Sequence, residues 1–190
     1  MTKRDAICDA ALELFAEQGI EATTIREIAE RADAAEGTLY RHFGGKGDLA
    51  AWLYQHCSAE LETRLEDATR GASTPSERLE GLVRGIFVFF NERPTSCTYL
   101  LDADADPREG RRRSDGPTHG PLPLFVEVLE EGMDRGLFRS DSAPLIAGWI
   151  LSMVQHTVSA LKAGGHAMDE RDAIARTVDA VRRITAVNAS

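Results

Sequence analysis

The chain has 190 residues, 43% of them hydrophobic, and a formal net charge of -9. That apolar share supports a real core, while no uninterrupted apolar run approaches a membrane span of about 20 residues. The opening MTKRDAICDAALELF carries charges throughout and lacks the apolar h-region of a secretory signal, and the three cysteines, Cys8, Cys57 and Cys97, are widely spaced and odd in number, which fits a reducing cytoplasm and gives no zinc spacing.

The first helix is predicted to begin near Thr2, where Thr2-Lys3-Arg4-Asp5 forms a capping box. Ile7, Ala11, Leu14 and Phe15 make its apolar stripe, and Gly19 sits where a left-handed C-cap belongs. Lys3 and Arg4 either touch phosphate or form a solvated terminus. A second capping box, Thr24-Ile25-Arg26-Glu27, opens a short helix with Ile25, Ile28, Ala29 and Ala32 on one face. Asp33-Ala34-Ala35 interrupts that rhythm. A third helix from about Glu36 turns Leu39 and Phe43 inward and leaves Thr38, Tyr40, Arg41 and His42 outward. Small residues at the turn let the two helices cross closely, as a helix-turn-helix requires. Hydroxyls and a cation along an exposed edge suit phosphate oxygens, and Arg41 can reach a base edge in the major groove.

The stretch GTLYRHF, with ALELFAEQGIEATTIREIAERA upstream and a Lys three residues downstream, resembles the tetracycline-repressor-like (TetR) family over the first quarter of the chain. The resemblance implies that Glu36 to Phe43 is a recognition helix. It places Thr24, Thr38, Tyr40 and Lys46 where family members hold the phosphate backbone. It places Arg26, Glu36, Gly37, Arg41 and His42 where they approach bases or nearby phosphates. Three positions depart from the pattern: Asp33 stands where Gly is usual, Ala35 where a capping Ser is frequent, and Glu36 where a basic or polar residue is frequent. Asp tolerates a left-handed turn less readily than Gly, the missing cap costs about 1 kcal/mol, and a carboxylate suits a helix N-terminus and can accept from cytosine N4 but repels phosphate.

Gly44-Gly45-Lys46-Gly47 lacks the spacing and the preceding strand of a nucleotide loop and reads as a turn. A fourth helix follows from about Gly47 to Arg70, with Leu49, Trp52, Leu53, His56, Cys57, Leu61 and Leu65 as its apolar positions. A fifth starts at Ser76 and buries Leu79, Leu82, Val83, Ile86, Phe87 and Phe90; Asn91 to Pro94 closes it. A short sixth holds Thr98 to Ala103. Asp104 to Pro121 reads as an exposed loop. Asp102, Asp104 and Asp106, with His119 nearby, allow a metal site, but the glycine and terminal Glu of an EF-hand are missing and a solvated acidic loop is the default. Arg111-Arg112-Arg113 is weak evidence for DNA contact. Helices are predicted again over Leu122 to Arg135, Ala143 to Lys162 and Asp169 to Val187, with Gly136 and Leu137-Phe138 making the return between the first two and Gly164-Gly165 breaking the chain between the last two.

The expected fold is all-α: a three-helix helix-turn-helix domain over 1–46 and a larger helical effector-binding and dimerisation domain over 47–190. The resemblance implies that the last two helices form a four-helix bundle with their copies in a second subunit; Gly148, Leu151, Ser152, Ser159, Val178 and Val181 are the interface candidates, and an ordinary intramolecular core is the alternative. Phe87, Phe90, Tyr99, Phe125, Trp149, Met153 and His156 are candidates for an apolar effector pocket, although aromatics and Met at this spacing also serve as plain core. No metal-ligand cluster, nucleophile motif or acid–base pair points to an enzyme, and no cofactor is implied. The function expected is a ligand-responsive transcriptional repressor acting as a homodimer on a palindromic DNA operator. The alternative is a protein of the same fold with weakened DNA binding that serves as a small-molecule-binding or protein-interaction module. The acidic total is unusual for a DNA-binding protein and implies few phosphate contacts per half-site, with strong salt sensitivity.

Overall fold

The computed structural model describes residues 2–105, 120–163 and 169–187, with the side chains of all but 101–105. The described residues form nine helices and no strand: α1 Lys3–Gln18, α2 Ile25–Arg31, α3 Glu36–His42, α4 Lys46–Thr69, α5 Pro75–Glu92, α6 Pro94–Ala105, α7 Pro121–Asp134, α8 Ala143–Ala163 and α9 Glu170–Thr185. They fall into two compact units, Met1–Ala59 with Arg93–Pro117, and Glu60–Glu92 with Thr118–Ser190. The division therefore lies inside α4, after Ala59, and α6 belongs to the first unit. The sequence suggested a cut at 46/47; α1 packs on α6, a long-range contact that no local pattern announces.

In the first unit, the Thr2 hydroxyl accepts from the Asp5 amide at 3.1 Å and the Asp5 carboxylate accepts from the Thr2 amide at 2.8 Å, which starts α1. Gly19, at φ +83°, ends it. The stripe Ile7, Ala11, Leu14 and Phe15 is buried and meets α2, α3 and α6. Helix α6 is longer than expected. Pro94 reads in sequence as the end of α5, yet it occupies the first position of α6, where a missing N–H costs nothing. Tyr99 stacks on Phe15 with ring centroids 5.9 Å apart, and its hydroxyl donates to the Ala50 carbonyl at 2.8 Å.

In the second unit, α5 buries Leu79, Leu82, Val83, Ile86 and Phe87 as expected and adds Phe89; Phe90 is half-buried. Helix α5 packs on α7, α8 and α9. Gly81 and Gly85 let α5 approach the α4 backbone, since a Cβ at either would come 2.8 Å from Ala68 O or Leu65 Cδ2. The return after α7 depends on two glycines: Gly136 takes φ +66°, and Gly132 leaves room for Phe138, whose ring would stand 2.0 Å from a Cβ there. The amides of Leu137 and Phe138 both donate to the Gly132 carbonyl, at 2.9 and 3.1 Å. Of the acidic-loop candidates, Asp102 and Asp104 lie on the α6 backbone, while their side chains and Asp106, Arg111, Arg112, Arg113 and His119 fall outside the described residues, as does Gly164-Gly165.

Candidate nucleic-acid interface

Helix α2 starts on Thr24, whose hydroxyl accepts from the Glu27 amide at 3.2 Å while the Glu27 carboxylate accepts from the Thr24 amide and hydroxyl at 2.7 Å each. Those bonds hold the Glu27 carboxyl below its ordinary 4.5, the Thr24 side chain contributing most. The turn into α3 closes with Asp33 at φ +46° and the Ala34 amide donating to the Ala29 carbonyl at 2.9 Å. Asp thus takes the left-handed conformation that Gly would take more easily. Helix α3 has no side-chain cap at Ala35, as the sequence implied.

Leu39 and Phe43 are buried under α3 and aim its other face outward. Tyr40 is 57% exposed; Glu36, Gly37, Arg41 and His42 are exposed, and Thr38 is half-buried. Among the described residues the Arg41 guanidinium pairs with no acid; it donates to the Thr38 hydroxyl on its own helix at 3.2 Å. Thr24 and Arg26 are exposed at the start of α2, with the Arg26 Nε donating to Glu30 at 2.8 Å, which raises its pKa. Lys46 is placed differently. Its ammonium, half-buried, donates to the backbone carbonyls of Glu21 at 3.1 Å and Thr23 at 2.8 Å.

Two features escaped sequence reasoning. The Arg4 guanidinium lies 4.2 Å from the Trp52 ring centroid and 5.2 Å from that of Phe43, and Trp52 in turn stacks on His56 at 4.9 Å. Lys3 reaches the Asp33 carbonyl at 2.5 Å. The Arg4 and Lys3 contacts join residues at least 30 positions apart, beyond the reach of helical periodicity. The result is an edge of hydroxyls with an exposed guanidinium and an imidazole, on a helix backed by apolar packing, which is what contact with a groove floor and flanking phosphates needs.

A family model for bacterial regulatory proteins of the tetR family matches residues 7–52, spanning α1 through the start of α4. The HTH-type transcriptional repressor KstR2 of Mycobacterium tuberculosis H37Rv is 28% identical over 148 residues, covering 74% of this chain and 71% of the relative. A putative tetR family transcription regulator from Shewanella sp. PV-4 superposes with a TM-score of 0.85 at 20% identity, over 99% of this chain and all of that one. The transcriptional regulator FadR of Bacillus subtilis, solved in complex with stearoyl-CoA, gives 0.73 at 21% identity, over 96% and 97%.

Residues 7–52 are a tetR-family DNA-binding segment.

With these matches the chain is a DNA-binding transcription regulator rather than an enzyme, and the regulator reading stands over that of a binding module with weakened DNA contact. The candidate pocket and interface residues, Tyr99 apart, lie in the second unit. Its candidate residues divide three ways. Phe87 and Phe125 are fully buried, with Phe90 at the edge. Trp149, Met153 and His156 line an open groove of about 670 Å³ between α8 and α9, together with Ser152, Thr157, Ala160, Leu161 and Arg176. Ser152 was an interface candidate and the other three were pocket candidates, so the two sets share one surface. Gly148 and Leu151 are half-buried and Ser159 is exposed on the same helix. Two sets of candidates pack elsewhere than the sequence suggested. Tyr99 belongs to the first unit, where it packs against Phe15 and Ala50. Val178 and Val181 are buried within the subunit beside a cavity of about 220 Å³ that also touches Leu79 and Phe138, because the inward face of α9 packs on α5.

Helix α8 qualifies the expectation about membrane spans: by length and a mean hydropathy of 1.2 it is long and apolar enough to cross one, and only 28% of that window is buried in the subunit. Leu145 and Trp149, each 47% exposed, stand on its open side.

Proposed function

We propose that the protein is a homodimeric repressor that releases its operator when a lipid-like acyl-CoA binds. The observation that carries the DNA half is the outward edge of α3. Thr38 and Tyr40 supply phosphate hydrogen bonds, Glu36, Gly37, Arg41 and His42 approach the bases, and Thr24 and Arg26 touch the flanking backbone. One helix of seven residues binds weakly alone. Two, one DNA turn apart, read a palindrome. The open, apolar α8/α9 groove supports a second copy as its cover, since a contiguous exposed apolar surface marks an interaction site. Trp149, Met153 and His156 are then interface residues along with Gly148, Leu151, Ser152 and Ser159.

Support for the effector class comes from the relatives' names and from the aromatic interior of the second unit. FadR of Bacillus subtilis was solved with stearoyl-CoA, and the second unit's interior around Phe87, Phe90 and Phe125 is apolar. Such an effector must bind the DNA-free state more tightly; a coupling of about 1–3 kcal/mol is typical. Gel shifts with a duplex selected by the protein from a random pool test both halves. Stearoyl-CoA is expected to release that duplex and free CoA to leave it bound. Release by neither would reject the effector class, and failure to select any duplex would reject the DNA contacts.

A further inference from the structure

Helix α2 is fastened at both ends by lysines from other helices. At its start, the Lys46 ammonium on α4 donates to the carbonyls of Glu21 and Thr23, the residues leading into the Thr24 cap. At its end, the Lys3 ammonium on α1 donates to the carbonyl of Asp33 and lies 3.4 Å from its carboxylate. Loop carbonyls of this kind lack a helical partner, and a backbone acceptor left unpaired is costly. The other cations near α2 are occupied as well: Arg4 lies over Trp52, Arg26 meets Glu30, and Arg31 reaches Glu17 at 3.0 Å and Glu13 at 3.7 Å. Cationic side chains thus hold this acidic unit together from within, while the outward edge of α3 offers hydroxyls, Arg41 and His42.

We propose that Lys3 and Lys46 are positioning residues for DNA recognition, setting the pitch of α2 and through it that of α3, rather than phosphate ligands. The proposal rests on the DNA-binding reading, but its first test does not need DNA. Lys46→Met and Lys3→Met keep the apolar stem and remove the ammonium. In the DNA-free protein, amide hydrogen exchange over residues 25–34 is expected to quicken about tenfold in Lys46→Met and about threefold in the more exposed Lys3→Met. Amides of α4 from Leu53 to Leu65 should keep their protection, which separates a local loosening from a general loss of stability. Lys46→Arg, which keeps charge and donors, should restore slow exchange. Unchanged exchange over 25–34 overturns the proposal.

The second test uses the duplex selected by the wild-type protein. Both Met variants should bind it more weakly with the same slope of log affinity against log salt. A lost phosphate ligand would instead flatten that slope by about 0.9 per contact, or about 1.8 for a dimer, and that flattening would overturn the proposal. If the wild type selects no duplex, the DNA-binding reading fails, and the exchange measurement still decides whether the two lysines hold α2.

Discussion

Tyr40 stands clear of the core at 57% exposure, with its hydroxyl at the end of a stiff ring on a helix anchored by Leu39 and Phe43. Tyr40→Phe removes one hydrogen-bond donor and leaves the fold alone; it should weaken binding to every duplex alike, by about 0.5–1.5 kcal/mol per subunit in a fluorescence titration. Arg41→Ala should cost about 1–3 kcal/mol and relax the preference at one base pair of each half-site. These side chains were legible because i, i+4 spacing assigns Leu39 and Phe43 inward and so leaves the rest outward. Lys46 shows where that logic stops. Its position in the sequence matches a phosphate ligand, and only the folded chain reveals the carbonyls that accept its hydrogen bonds. Glu27 gives a pH handle. Its folded pKa is depressed below 4.5, so its cap contributes stability above that value and loses it as pH falls through the lowered one. Protection of the α2 amides, corrected for their intrinsic exchange rates, should therefore fall on acidification below about pH 4.5, and Glu27→Gln should flatten that acid response. The buried thiols are pushed the other way, Cys8 to about 11 and Cys97 to about 12, by desolvation.

Among the elements, the short helices were the easiest to read and the connections the hardest. Two capping boxes gave α1 and α2 their starts to the residue, because a box is a local reciprocal pair. Pro94 misled for an equally local reason: proline both ends one helix and begins the next. The α7 return depends on Phe138 filling the space above Gly132, a contact across six positions that leaves only a glycine in the sequence. Gly132→Ala should destabilise the protein by about 1–3 kcal/mol through overpacking, visible as a lowered Tm. Gly136→Ala should cost about 1–2 kcal/mol from its positive φ. If Gly132→Ala melts like the wild type, Phe138 has another place to go.

For the whole molecule, the all-helical class followed from periodicity, whereas which apolar face another subunit would cover did not. The small residues of α8 pointed toward a close-packed bundle, yet on α9 the valines turned inward to α5, and the exposed surface is Leu145, Trp149 and the groove beside them. A periodic stripe says that a face is apolar; it does not say whether the same subunit or another covers it. Trp149→Glu places a charge in the middle of that surface and should shift the particle from dimer to monomer in light scattering at micromolar concentration, with binding to the paired site lost. The most direct measurement is selection of duplexes from a random pool by the full chain, followed by sequencing of those it retains. The prediction is an inverted repeat whose half-sites are centred about one helical turn apart. Enrichment of a single unpaired half-site, or of no sequence at all, would contradict it.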